Sequence, residues 1–128
     1  MLKNQENSRK QGDVGLGAAI AWFTKKGYTT CVPLTDSQKY DLVVDMGKGL
    51  KRVQVKTTFF KKRSGHYVVT TKTCGGNRSG NKTHYFDNVN SDYLFAFTEE
   101  GSMYLIPSRV VPKSEMTLNA TRDKYRLN

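Results

Sequence analysis

Cysteine and histidine are scarce in this 128-residue chain, with two of each, and the cysteines, Cys31 and Cys74, stand far apart outside any C-x-x-C pattern. A structural zinc site needs clustered Cys and His ligands, so that class is excluded. A disulfide framework is equally poorly served, and two thiols in a reducing cytosol are the expected state. No apolar run approaches the roughly 20 residues that cross a bilayer, and the opening MLKNQENSRKQG has no apolar signal core. A cytoplasmic, membrane-free protein is expected. Acids are also few: eleven Asp and Glu against 21 Lys and Arg leave a net charge of +10. A surplus of that size favours a polyanionic partner, nucleic acid before an acidic membrane.

The length suits one domain spanning 1–128, with a core over about 9–107 and a peripheral C-terminal tail. Ser8 followed by Gln11 has the form of a capping box. A helix over about 9–26 would then align Leu16, Ile20 and Phe23 on one stripe, with Trp22 beside them, and end at Gly27. Gly12, Gly15 and Gly17 weaken that helix by about 1 kcal/mol each relative to alanine, and close packing of backbones is the plain reason to tolerate them. Strands are expected at 28–32, 40–46 and 50–58, the last two paired antiparallel across Gly47-Lys48-Gly49. A strand at 66–72 would extend that meander. The segment CGGNRSGNKTH reads as a loop, and 93–98 with 103–106 as a hairpin.

Alternation along strands places Asp41, Val43 and Asp45 on one face, and Arg52, Gln54 and Lys56 on one face of the next strand. Pairing across the short turn brings Asp41 toward Gln54 and Lys56. A carboxylate and an amide oxygen can hold a hard divalent cation, and a lysine beside them can orient water and offset negative charge. These are the requirements of phosphodiester hydrolysis. Next along the chain, Phe59 and Phe60 precede Lys61, Lys62 and Arg63, a run suited to a phosphate backbone. Arg78 and Lys82 in the polar loop are further candidates for DNA contact, whereas His66 and His84 read as structural or surface residues.

The order YDL, a short gap, then VQVK resembles the PD-(D/E)xK nuclease signature, in the Q-x-K form of group I intron homing endonucleases. The segments KQGDVG, KKGYTTCVPLTDSQKYDLVVD, RVQVKTT, SDYLFAF and MYLIP carry the resemblance across about 9–107. It implies an α/β fold with a restriction-endonuclease-like core, a central mixed sheet flanked by helices. It also implies a Mg²⁺- or Mn²⁺-dependent DNA endonuclease, with Asp41 and Gln54 at the metal and Lys56 as the catalytic lysine. Double-stranded DNA is the implied partner, bound by a homo-oligomer (dimer or tetramer) because one short chain buries little surface. On DNA the protein would be nucleoid-associated. A Holliday-junction resolvase with the same core and a DNA-binding module with a weakened site are the competing readings. The second arises because the family places a glutamate in the first helix, as GxxGE, where this chain has Leu16. Asp13, Asp36 and Asp45 are the acids that could compensate.

Overall fold

The computed structural model describes residues 8–74 and 83–128. Helix α1 (Ser8–Lys25) buries Gly15, Ala19 and Phe23 on one stripe, with Leu16, Ile20 and Trp22 partly buried on its flanks. Gly15 is the glycine that packing demands: a β-carbon there would lie 3.3 Å from the Thr57 β-carbon and against its hydroxyl. Gly12 and Gly17 meet nothing comparable. The helix closes at Gly27, whose φ of +84° is the left-handed conformation that a C-terminal glycine supplies.

The strands follow as β1 (Thr29–Cys31), β2 (Leu42–Asp45), β3 (Leu50–Thr58), β4 (Val68–Thr70), β5 (Thr73–Cys74), β6 (Thr83–His84), β7 (Tyr93–Thr98), β8 (Met103–Pro107) and β9 (Glu115–Thr117). Five of them form the main sheet in the order β1-β2-β3-β7-β8. All its neighbours run antiparallel except β3 and β7, which are parallel, so the sheet is mixed. Strand β3 lies between β2 and β7, and its two edges are paired over different lengths. Leu50–Val53 pair with β2, and Val53–Thr58 pair with β7.

This is the expected α/β core, with α1 as the α-helix among the described residues. The helix covers one face, where Phe23 meets Leu42, Val44, Val53 and Phe95. The YLFAF run alternates so that Phe95 points into this layer while Leu94 and Ala96 point into the other. Their burial on both faces is what a central strand requires, and each large side chain so removed from water stabilises the fold by about 1.5–3 kcal/mol.

The second face is covered by β4 and β9, not by another strand of the meander. The 66–72 segment first stays close to β3, with Val68 N–H donating to Phe60 O at 3.0 Å. It then pairs antiparallel with β9 instead of joining the sheet. Tyr67 and Val69 gain burial there against Leu94, Ile106 and Met116. The apolar core therefore continues past residue 107, since Met116 and Leu118 are buried. Beyond them a 3-10 turn, Ala120–Tyr125, runs over the surface, and Leu127 N–H returns to Met103 O at 2.8 Å. No helix among the described residues is long and apolar enough to cross a membrane.

Candidate active site

Where β3 leaves β2, a cleft opens. The last paired residues there are Leu42 and Val53, and the register then slips by one residue as Asp41 N–H donates to Val53 O at 2.9 Å. Asp41 therefore sits beside Val53 where the paired ladder ends. Leu42, Val44 and Val53 point into the helix-side core, so alternation turns Asp41, Gln54 and Lys56 to the other face. Together they line a cleft of about 290 Å³, closed on its far side by Thr71, His84, Tyr85, Asp87 and Asn90. Asp41 Oδ2 accepts the Val55 N–H at 2.7 Å, which fixes the carboxylate against the Gln54–Lys56 strand.

The electrostatics of the pair differ from those of solvated side chains. Burial pushes the Asp41 carboxyl above its ordinary 3.8, although the Val55 N–H and the Lys56 charge pull it down. Burial likewise holds the Lys56 ammonium below 10.5, against the opposing influence of Asp41. Asp41 as a residue remains accessible to solvent; it is the crowding at the cleft wall that makes its charge costly. Charges held where water serves them poorly are characteristic of functional sites.

A strand-borne acid facing a Q-x-K strand is the layout expected of one nuclease superfamily, and residues 6–127 match the model of the PD-(D/E)XK endonucleases. The chain belongs to the PD-(D/E)XK endonuclease family. Its structure is similar to that of a bacterial homing endonuclease, I-Ssp6803I, with a TM-score of 0.81 and 30% identity over 94% of this chain and 88% of that one. It is also similar to MepB, with a TM-score of 0.50 and 18% identity over 88% and 95% of the two chains, which shows a shared fold alone. No curated protein matches the sequence.

Within this PD-(D/E)XK chain the remaining candidates separate clearly. Leu16 is partly buried against the helix-side cluster and does not line the cleft. Asp13 and Asp36 are exposed and also lie outside it. Asp45 accepts the Gly47 N–H at 3.0 Å and serves the hairpin turn. Lys61 pairs with Glu100 at 2.5 Å, and Lys62 approaches Glu115 at 3.7 Å and Thr117 Oγ1 at 3.3 Å. Arg63 is exposed in the turn that follows. None of these three cations reaches the cleft. Arg78 and Lys82 lie outside the described residues. His66 meets Ser64 Oγ at 3.2 Å, whereas His84, read as a structural or surface residue, lines the cleft.

Asp87 is the cleft residue that sequence reasoning passed over. Its Oδ1 accepts the Val89 N–H at 2.8 Å in a tight turn, in the HYFDNVNSDY segment before β7. The acid at the fourth position of that segment carries no local signal, because only the tertiary fold brings it opposite β3. Asp41, Asp87 and the Gln54 amide provide hard oxygen donors and no thiolate, a set that suits Mg²⁺ or Mn²⁺. Among the described residues no three Asp, Glu, His or Cys side chains converge on one point. A cation here would therefore depend on the amide oxygen and on water.

Proposed function

We propose that this PD-(D/E)XK protein is a divalent-cation-dependent DNA endonuclease of the homing type. The observation that carries the reading is the meeting of Asp41, Gln54 and Lys56 in one cleft, with burial raising the proton affinity of the acid and lowering that of the lysine. Asp41 and Gln54 would hold Mg²⁺ or Mn²⁺, and Asp87 lines the same cleft. The cation would neutralise charge on the phosphoryl oxygens. Lys56 donates hydrogen bonds to the attacking water and to a non-bridging oxygen, stabilising charge that grows in the transition state. Water forms the new P–O bond as the P–O3′ bond breaks; the proton it loses passes to solvent and the departing 3′-oxygen takes one up, leaving a 5′-phosphate and a 3′-hydroxyl. The likeness to I-Ssp6803I, described as a bacterial homing endonuclease, supports that branch. One cleft cuts one strand, so a duplex break calls for a homo-oligomer, a dimer or tetramer on its site.

Nicking of supercoiled plasmid in Mg²⁺ or Mn²⁺ tests this. Wild-type protein is expected to nick, chelation with EDTA to stop it, and Lys56→Ala to slow it by about a hundredfold or more while DNA affinity is kept. A wild-type rate indistinguishable from buffer with either cation would overturn the enzymatic reading. It would favour the second one, a DNA-binding module with a weakened site. That reading draws on the amide at Gln54 and the apolar Leu16, which leave Asp41 and Asp87 as the cleft's carboxylates among the described residues.

A further inference from the structure

The cleft does not end at its own walls. Lys56 and Thr73 also line a shallow groove of about 660 Å³ that runs past Thr70 and Lys72. Tyr85, Phe86 and Asp87 of the cleft are shared with a second groove of about 460 Å³, which continues to Arg109 and Lys113. The cleft thus adjoins each groove through a different set of wall residues, and the two grooves share none with each other.

Charge along this path is ordered. The first groove carries Lys56 and Lys72 with no carboxylate in its lining. The central cleft carries the acids Asp41 and Asp87 beside Lys39 and Lys56. The second groove carries Arg109 and Lys113, with Asp87 only at its junction with the cleft. Among the described residues, Lys72, Arg109 and Lys113 form no ion pair, whereas Lys61 and Lys62 are engaged by Glu100 and Glu115. A cation-binding centre between two cationic troughs is complementary to one strand of DNA. The scissile phosphate would lie at the centre, and its neighbours would meet lysine and arginine on either side.

The geometry points to a continuous backbone track in which Lys72 holds the phosphates on one side of the cut and Arg109 with Lys113 those on the other. The run Lys61-Lys62-Arg63 contributes little to it. The track rests on the nuclease reading for the position of the cut, but its cations can be tested apart from cleavage.

Binding of a short mixed-sequence duplex, measured without divalent cation across a range of salt, reads the number of phosphates neutralised. Lys72→Ala is expected to flatten the plot of log affinity against log salt by about 0.9, and Arg109→Ala/Lys113→Ala by about 1.8. Lys61→Ala/Lys62→Ala should leave the slope near that of wild type. All of these residues are exposed, so the fold should survive, and circular dichroism would verify that it does. Unchanged slopes for both track variants would overturn the track, as would a loss confined to the Lys61 and Lys62 variant. Plasmid nicking by the same wild-type preparation separates the two readings. Lys56-dependent nicking with unchanged slopes removes the track alone, while flattened slopes without nicking support the track and remove the nuclease. A wild type that neither binds nor nicks removes both.

Discussion

Asp41 Oδ2 accepts the N–H of Val55, the residue between Gln54 and Lys56, at 2.7 Å. On this edge of β3 the ladder to β2 has ended, and the carboxylate takes the place that a backbone carbonyl would have filled. Asp92 does the same near the other end of the strand, where its Oδ2 accepts the Arg52 N–H at 2.8 Å. The acid of the site is thus anchored by the strand that bears the lysine.

The anchor implies that folding and chemistry respond differently at position 41. Asp41→Asn keeps an acceptor for Val55, whereas Asp41→Ala leaves that N–H to water. Thermal or urea denaturation should find Asp41→Ala less stable than Asp41→Asn by about 1 kcal/mol. Both substitutions should abolish plasmid nicking. Equal stability of the two variants would show that the bond contributes nothing to the fold.

Charge at the cleft should cost stability in the metal-free protein. The folded-state value of Asp41 is raised, so its contribution to stability falls as pH rises through that value. The folded-state value of Lys56 is lowered, so its contribution falls as pH drops from 10.5 through that value. Between the two folded values both penalties act. Asp41→Asn/Lys56→Met is expected to exceed wild type there by on the order of 1 kcal/mol, with the excess shrinking outside that window. Urea denaturation across pH, with EDTA present, checks the sign.

Gly15 and Thr57 should behave as a coupled pair. Gly15→Ala forces a methyl against the Thr57 side chain, 3.3 Å from its β-carbon and 3.6 Å from that of Phe97. A loss of about 1–3 kcal/mol is expected. Thr57→Ala makes room, and the Thr57 hydroxyl it removes is buried without a hydrogen-bond partner among the described residues. The double variant should therefore recover much of the loss, giving a coupling of about 0.5 kcal/mol or more in a double-mutant cycle. Additive effects would mean that the helix simply shifts away.

Local pattern carried a large share of this structure into the sequence. The period-two alternation of YDLVVD and LKRVQVKTT, joined by a glycine-framed turn, sets both the pairing and the common face of Asp41, Gln54 and Lys56. What stayed hidden depends on contacts distant in sequence. Strand β4 alternates as a sheet neighbour would, yet its partner Glu115–Thr117 lies more than 40 residues away. Asp87 enters the cleft from a turn with no periodicity. Lys61 and Lys62 look like a free basic run until Glu100 and Glu115 are folded beside them. Leu16 follows Gly15 in the motif order, but the structure uses it for packing against the sheet.

The offset of the two ladders of β3, which overlap at Val53, makes this chain sensitive to parity. One extra residue inside β3 ahead of Gln54 would rotate Gln54 and Lys56 to the helix side and carry Val55 into the cleft. Two extra residues would restore the facing while moving the lysine one pleat along its strand. The facing of the site is therefore counted in steps of two on the strand.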